Sequence, residues 1–267
     1  MHPAPFLILL AAALSGCGPA PVQSADMMGP GNGPALLTPG QNSFTNLPPE
    51  LTVRTHARWA GSVPSGWNIT PRRGTPVIVA DPSSPTGGAL EFRYPAGHPD
   101  GHEVGVVWTG GPGARADEMF LGVVMRYSSN WTSHNNEVKL HLWAGEGSWF
   151  GIFDGCWNDR VPQWKIASRA LNPVPRPNNE NCWTNNKANS PTYTPGEWVK
   201  QELYVRRSTG TVMLWVDGTL VAEHHNVAPV RTMSFVEFQH AGTWGGGGGN
   251  VLQAQVWSVA ETLLAWR

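Results

Sequence analysis

The amino-acid sequence predicts an all-β protein, an antiparallel β-sandwich or jelly roll. Short stretches alternate apolar and polar residues with the period of a strand, and turn residues separate them. No stretch has the period of an amphipathic helix. Glycine (31) and proline (24) are abundant among the 267 residues, as a chain with many turns requires. Nothing after about residue 51 resembles a linker, so we expect one domain over 51–267.

The first 17 residues have the features of a targeting segment. A short apolar run at 6–14 is too short to span a bilayer and ends in Leu14-Ser15-Gly16-Cys17, which resembles a bacterial lipobox. The resemblance implies cleavage before Cys17 and lipid on its sulfur. The alternative is a plain secretory signal with an incidental cysteine, since residues 1–5 carry no Lys or Arg. Under both interpretations we expect an extracytoplasmic protein, and under the first one it is membrane-anchored.

Residues 18–50 are rich in Pro, Gly, Ser and Asn, which predicts a flexible tether. The alternating stretches that follow predict strands at 77–79, 89–94, 104–108, 119–127, 137–143, 149–153, 202–206, 212–216, 220–223, 234–239 and 254–259. The clearest signal is Asp217-Gly218 between two of them. A type I′ hairpin turn needs positive φ at both central positions, and this dipeptide tolerates it.

Cys156 and Cys182 remain once Cys17 is set aside. In an oxidising compartment one disulfide is the simplest arrangement. It would close a proline-rich loop of about 25 residues and, by loop entropy alone, stabilise the fold by roughly 3 kcal/mol. Two free buried thiols are the alternative. Asp154, Asn158 and Asp159 near Cys156 offer oxygen ligands for Ca²⁺, but their spacing matches no fixed pattern. We therefore predict no metal and no cofactor.

Composition excludes one class of partner. Charged residues are 14% of the chain and the formal net charge is −1, so no basic excess is present to neutralise nucleic-acid phosphates. The 14 tryptophans exceed what one core needs, which indicates that some lie on a binding surface.

Polar and aromatic residues at alternate strand positions indicate where such a surface lies. Alternation places Val138, Leu140 and Leu142 inward, and four sets outward. A sugar-binding groove needs such sets, because rings stack on pyranoses and polar groups bond their hydroxyls. The alternative is an ordinary solvent face. The outward sets are Glu91 with Arg93; Lys139 with His141 and Trp143; Glu202 with Tyr204 and Arg206; and Glu237 with Gln239.

Four stretches resemble the concanavalin A-like jelly-roll polysaccharide lyases, the superfamily of the alginate and glucuronan lyases. They are Leu-Glu-Phe-Arg-Tyr-Pro-Ala-Gly at 90–97, Val-Lys-Leu-His-Leu-Trp at 138–143, the Gly-Glu-Trp to Trp-Val-Asp-Gly segment at 196–218, and Phe-Val-Glu-Phe-Gln-His at 235–240. The resemblance covers most of 51–267 and implies a concanavalin A-like jelly roll. Lectin-like proteins without activity share this pattern.

The resemblance also implies a site for β-elimination. His141, with Lys139 beside it, matches the middle-strand histidine that serves as base in several such lyases. Arg93 or Arg126 would pair with the uronate carboxylate, and Tyr204 is the available phenol. Trp143, Glu91, Glu237, Gln239 and His240 would line the groove and bind substrate. We expect Arg93, Lys139, His141 and Gln239 to converge on one concave face.

The predicted function is polysaccharide binding, with cleavage as a polyuronate lyase. Alternatives are a non-catalytic, lectin-like glycan-binding lipoprotein and a glycoside hydrolase. Hydrolysis needs two flanking carboxylates, and the Glu-x-Asp-x-x-Glu run of sandwich glucanases is absent, which leaves only Glu91 with Glu237. A structural surface protein without a ligand is a further possibility. The expected partners are a polysaccharide and, through the lipid, a membrane. We expect a monomer.

Overall fold

A computed structural model of the chain describes residues 43–70, 76–99, 105–111, 116–134, 137–145, 148–154, 164–169, 182–183, 185–187, 192–245 and 249–267. The predicted leader, the predicted lipidation site Cys17 and most of the predicted tether lie outside these ranges. The Cys156–Cys182 disulfide also stays a prediction, because Cys156 and the side chain of Cys182 are not described.

The described residues confirm the antiparallel β-sandwich. In chain order the strands are β1 (Thr52–Arg58), β2 (Trp67–Thr70), β3 (Val77–Ala80), β4 (Gly88–Tyr94), β5 (Gly105–Trp108), β6 (Glu118–Tyr127), β7 (Glu137–Gly145), β8 (Ser148–Asp154), β9 (Trp164–Arg169), β10 (Cys182–Trp183), β11 (Trp198–Arg206), β12 (Thr211–Val216), β13 (Thr219–His224), β14 (Glu237–Gly245) and β15 (Gln255–Trp266). One short helix, α1 (Ala228–Thr232), joins β13 to β14 among them. None of the described helical residues forms a segment long and apolar enough to cross a membrane.

The strands form two sheets. The eight-stranded sheet has the order β13-β12-β11-β6-β15-β4-β3, with β1 also paired to β15. The seven-stranded sheet has the order β10-β9-β8-β7-β14-β5-β2. The long strand β15 is central, because it pairs with β6 along one edge and with β4 and then β1 along the other. Every predicted strand is present in some form, whereas β1, β2, β9 and β10 were not predicted.

The β12–β13 hairpin confirms the turn prediction. Asp217 has φ 48° and Gly218 has φ 79°, as a type I′ turn demands. Lys200 N–H donates to Asp217 Oδ1 at 2.8 Å, and Asp217 N–H donates to the Lys200 carbonyl at 2.8 Å. These two bonds tie the turn to the neighbouring strand β11.

The core lies between the sheets and uses most of the described tryptophans. Trp59, Trp67, Trp143 and Trp257 are buried there, and Phe92 stacks on Trp257 at 4.2 Å between ring centroids. The expectation that surplus tryptophans lie on a binding surface is therefore wrong for these rings. Large aromatic residues fill the layer between two sheets that pack about 10 Å apart.

Residues 43–51 form a strap across the outer face of the eight-stranded sheet. Phe44 packs on Phe120 at 6.3 Å, and a Cβ on Gly122 would lie 2.4 Å from the Phe44 ring, so only glycine admits it. Polar bonds hold the strap on both sides. Ser43 Oγ donates to Glu261 at 2.6 Å, and Asn46 N–H donates to Glu202 at 2.8 Å. The folded domain therefore begins before residue 51, and 43–50 are not part of a flexible tether.

Replacing Phe44 by alanine is expected to lower the free energy of unfolding by about 3 kcal/mol, the usual cost of emptying a buried phenylalanine site. The strap would lose its apolar anchor while its polar bonds remain. Urea unfolding followed by tryptophan fluorescence measures this cost. Ser43→Ala is the matched control and should cost about 1 kcal/mol. Equal, small losses in both variants would show that the strap does not stabilise the domain.

Candidate functional site

The outer face of the seven-stranded sheet collects polar and aromatic side chains that point away from the core. Phe238 and His240 of β14 point inward, so Glu237 and Gln239, which alternate with them, point outward. Leu142, Phe153 and Ala241 form a small apolar cluster on this face, with Trp149 packed against it. The described side chains of the outer face are Lys139, Leu142, Ala144, Trp149, Phe153, Glu237, Gln239, Ala241 and Thr243.

A β-bulge in β7 decides which of its residues reach this face. Register runs from Lys139 opposite Phe153 to His141 opposite Ile152, with a shift between them. The extra residue reverses the alternation, so that Lys139 points outward while His141 points inward. Beyond the bulge Leu142 is outward and Trp143 inward. The sequence alternation, read without a bulge, had all three of Lys139, His141 and Trp143 outward.

Lys139 is the candidate chemical group of the outer face. Its ammonium nitrogen lies 5.2 Å from the centroid of the Trp149 ring, within cation–π distance. Phe153, directly opposite in register, is fully buried beneath it, and Thr243 lies opposite on β14. Lys139 is itself only partly buried. A half-buried amine beside an aromatic ring on this face can meet a polymer from solvent.

Glu237 and Gln239 lie on the neighbouring strand, and Gln239 Nε2 donates to Glu237 Oε1. Both side chains are half-buried. Gln239 is opposite Leu142 in register, and Glu237 is opposite Ala144. Because a carboxylate accepts one amide N–H, the orientation of the Gln239 amide is set and its second N–H is directed elsewhere. The structure thus places three predicted residues, Lys139, Glu237 and Gln239, on one face of the sheet.

His141 and His240 are part of the core, which corrects the prediction that they line the groove. Both are fully buried. Their Nδ1 atoms lie 2.8 Å apart, and His240 Nε2 lies 2.8 Å from the Thr262 hydroxyl of β15. Burial lowers the pKa of His240 to about 3; burial, and then the charge of His240, lowers the pKa of His141 well below its usual range. His141 is therefore neutral and has no access to a polymer on the outer face.

Trp143 is likewise a core residue, packed on Phe238 at 5.2 Å and on Trp266 at 5.9 Å. It cannot serve as a sugar platform. The tryptophan that faces outward is instead Trp149, a residue that the sequence analysis missed. Trp149 is the second residue of β8 and faces outward at the level of Ala144. Only the register of β7 against β8 identifies it, and the sequence does not contain that register.

Arg93 and Glu91 lie on the eight-stranded sheet and form an ion pair at 2.7 Å. They alternate with the core residues Leu90, Phe92 and Tyr94, and so face away from the other sheet. Arg126 faces the same way, and its guanidinium pairs with Asp81 at 2.6 Å. The expected convergence of Arg93, Lys139, His141 and Gln239 is wrong, because the four residues occupy two opposite outer faces and the core.

Tyr204 is also on the outer face of the eight-stranded sheet, in the cluster beneath the strap. Its hydroxyl donates to Glu118 at 2.8 Å, and Arg267 donates to the same carboxylate at 2.7 Å. Burial and the Glu118 carboxylate raise the pKa of Tyr204 to about 12. Tyr204 is a structural phenol rather than the acid of the predicted site.

The Ca²⁺ possibility rests mainly on residues outside the described ranges. Among the described residues no three His, Cys, Asp or Glu side chains are placed to hold a metal ion. Asp154 is buried and accepts from Ser133 at 2.7 Å, Tyr193 at 3.1 Å and the Trp131 indole at 3.2 Å. Burial raises its pKa to about 6. Asn158 and Asp159 are not described.

The comparisons with known proteins agree with this fold. A family model described as polysaccharide lyase matches residues 64–258. The structure is similar to the endo-β-1,4-glucuronan lyase of the fungus Trichoderma reesei, with 20% identity, a TM-score of 0.56 and coverage of 80% of this chain and 95% of that one. No curated protein matches the sequence significantly.

Two further solved structures are similar at lower identity. An alginate lyase from a Chlorella virus has a TM-score of 0.55 at 9% identity, covering 76% of this chain and 93% of that one. The fourth domain of an extracellular arabinanase from Geobacillus stearothermophilus, solved with arabinotriose, has a TM-score of 0.53 at 13% identity, covering 81% and 93%. At these identities the likeness establishes a jelly roll, a scaffold that hosts both lyases and non-catalytic modules.

Proposed function

The chain belongs to the polysaccharide lyase family, and from that premise we propose that it cleaves a uronate-containing polysaccharide by β-elimination on the outer face of the seven-stranded sheet. One observation carries the choice of face. Lys139, Trp149 and Gln239 share it, whereas the two arginines implied for the same site, Arg93 and Arg126, lie on the outer face of the other sheet. Carbohydrate binding follows from the family, and the reaction is the finer proposal.

β-Elimination makes defined demands on this face. A base removes the proton on C5 of the uronate, the C–H electron pair forms the C4–C5 double bond, and the C4–O bond breaks with its electrons on the leaving oxygen. That oxygen takes up a proton. The carboxylate on C5 must be hydrogen-bonded or paired, because negative charge develops beside it in the transition state.

Lys139 is the proton-transferring group in this proposal. In its neutral form the amine takes the C5 proton, and the resulting ammonium gives a proton to the leaving oxygen. The Trp149 ring fixes the direction of the flexible side chain. His141, the base implied by resemblance, is excluded from the role because it is buried between the sheets.

Gln239 holds the substrate carboxylate. One N–H of its amide is bound to Glu237, and the second donates to a uronate oxygen. Glu237 acts as a positioning residue, since its contact is with Gln239 rather than with the reacting atoms. Trp149 also offers an aromatic face for a sugar ring next to the one that reacts.

One group that both takes and returns the proton restricts the substrate. The C5 hydrogen and the C4 oxygen must lie on the same side of the ring, as in glucuronate and mannuronate, and not on opposite sides, as in guluronate and galacturonate. We expect glucuronan and polymannuronate to yield unsaturated ends, measured as new ultraviolet absorbance, at least about a hundredfold faster than polyguluronate or polygalacturonate. Equal rates on both pairs would rule out a single proton-transferring group.

A second function has one observation in its favour. The Glu237 carboxylate lies on the outer face and repels an anionic polymer unless its hydrogen bond from Gln239 is kept. A non-catalytic glycan-binding protein is therefore the alternative. It predicts that the Trp149 fluorescence shifts with a polysaccharide that yields no unsaturated product.

We also propose that the protein is exported and lipid-anchored through Cys17, on the strength of the lipobox resemblance. Metabolic labelling with a fatty acid should mark the full-length chain and not Cys17→Ala. Label on both, or on neither, would contradict the anchor.

A further inference from the structure

A small pocket lies at one end of the sandwich, where β6 ends, β11 begins and β12 ends. Its volume is about 80 Å³. Tyr127, Val199 and Val216 make an apolar floor at the margin of the core. Around this floor stand Thr192, Tyr193, Thr194, Glu197, Trp198 and Asp217. None of these residues lies on the outer face that carries Lys139.

Backbone hydrogen bonds build the rim of the pocket. Gly196 N–H donates to the Tyr127 carbonyl at 2.8 Å, and Glu197 N–H donates to the Thr194 carbonyl at 3.3 Å, which fixes the 194–197 turn against β6. Gly196 has φ 94°, a conformation that glycine adopts without strain. The Asp217 turn is tied to β11 by its two bonds with Lys200. Both sides of the pocket are thus preformed.

The neighbouring cations are bound to groups that do not line the pocket or are stacked on its Trp198. Arg126 stacks on Trp198 at 4.6 Å, and its guanidinium binds Asp81 at 2.6 Å and the Ser83 hydroxyl at 2.6 Å. The Lys200 ammonium donates to the Ser43 carbonyl of the strap at 2.9 Å. No Lys, Arg or His belongs to the described lining. The ligand-accessible groups are therefore aromatic rings, hydroxyls and carboxylate oxygens.

We propose that this pocket is a second carbohydrate site, which binds a neutral glycosyl unit and rejects uronates. The indole of Trp198 and the apolar floor suit the C–H face of a pyranose or furanose. The Thr192 and Thr194 hydroxyls and the carboxylates of Glu197 and Asp217 accept hydrogen bonds from sugar hydroxyls. The same carboxylates repel a uronate carboxylate, and no cation belongs to the described lining to compensate. The inference does not depend on the proposed lyase activity, and it assigns the neutral and the acidic parts of a glycan to two separate sites.

The test uses the mature chain and NMR titration with neutral oligosaccharides (cello-, xylo-, manno- and arabino-oligosaccharides) and with oligouronates. We expect at least one neutral series to shift the Trp198 indole and the Thr192 and Thr194 amides. Trp198→Ala should weaken this binding about tenfold, since tenfold corresponds to the 1.4 kcal/mol typical of an aromatic contact. Trp149→Ala, the matched tryptophan variant on the other sheet, should change it less than about twofold.

Glu197→Gln is a second variant that tests the pocket even if Trp198→Ala does not fold. Glu197 is exposed, so its replacement should leave the fold intact. It keeps an acceptor oxygen and removes a negative charge, so oligouronate binding at the pocket should gain about threefold relative to neutral binding. The proposal is overturned if no neutral series shifts the pocket signals, if oligouronates bind there more tightly than neutral sugars, or if Trp149→Ala removes neutral binding as strongly as Trp198→Ala. Lyase activity of Trp198→Ala stays at the wild-type level in every case, which separates this result from the proposed function.

Discussion

Lys139→Ala should lower the rate of formation of unsaturated ends by a factor of about 10² to 10⁴, the usual contribution of a positioned proton-transferring group. Lys139→Arg should be nearly as slow. Arginine keeps the positive charge but does not lose its proton in a protein, so it cannot act as the base. Initial rates on glucuronan or polymannuronate measure both effects. KM should change far less than kcat, since Trp149 and Gln239 still bind the polymer.

Lys187→Ala is the matched control for this experiment. Lys187 pairs with Glu223 at 2.7 Å beside β13 of the other sheet, and its loss should leave the rate within about twofold. If Lys139→Arg keeps most of the activity, Lys139 supplies charge and not proton transfer, and the base is another group. If Lys139→Ala also keeps it, the outer face of the seven-stranded sheet is not the active site.

Mild acid should destabilise the fold through His141 and His240. Both are neutral in the core, and their pKa values are lowered, that of His240 to about 3. The unfolded chain binds protons below about pH 6.5 while the folded chain does not, so stability is complete above that pH and is lost as the pH falls. Between pH 7 and pH 5 the two histidines together lower the free energy of unfolding by about 4 kcal/mol.

Asp154 works in the opposite direction over the same range. Burial raises its pKa to about 6, so its carboxyl takes up a proton in the folded state before it does so in the unfolded one. Between pH 7 and pH 5 this proton uptake raises the free energy of unfolding by about 1 kcal/mol. The expected net loss is therefore about 3 kcal/mol, a large share of the stability of an ordinary domain.

Urea unfolding at pH 7, 6 and 5 measures this loss. His141→Gln removes one titrating group and keeps an amide next to His240. The free energy of unfolding of this variant should therefore fall by about 2 kcal/mol less between pH 7 and pH 5 than that of the wild type. Stability that is constant or rises from pH 7 to pH 5 would show that the histidine pair is charged or accessible in the folded protein.

The sequence predicts the fold well because strands and turns are local signals. The Asp217-Gly218 turn and the alternation of β12 are encoded in adjacent residues, and the structure confirms both. The strands that were missed are mainly those with weak alternation, such as β1, where five of seven residues are polar. Local patterns do not show which sheet a strand joins. The sequence therefore could not show that Arg93 and Gln239 belong to different sheets.

The candidate site was predicted only in part, for a different physical reason. Alternation is a rule with period two, and one β-bulge after Lys139 reverses it for the rest of β7. His141 and Trp143 are therefore in the core, although the sequence pattern treats them as equivalent to Lys139. In β14 no bulge precedes Glu237 and Gln239, and the outward assignment of both agrees with the structure. A buried histidine pair has no local sequence signature that distinguishes it from a catalytic histidine.

The most direct test of the outer face is to locate a bound oligouronate. The inactive Lys139→Ala chain can be titrated with tetraglucuronate and its backbone amide and indole signals followed by NMR, or the complex can be crystallised. We expect the sugar to lie across β7, β8 and β14, with the largest shifts at Trp149, Gln239 and Ala144. A sugar bound instead across β4 and β6, beside Arg93 and Arg126, would contradict the assignment of the active site to the seven-stranded sheet.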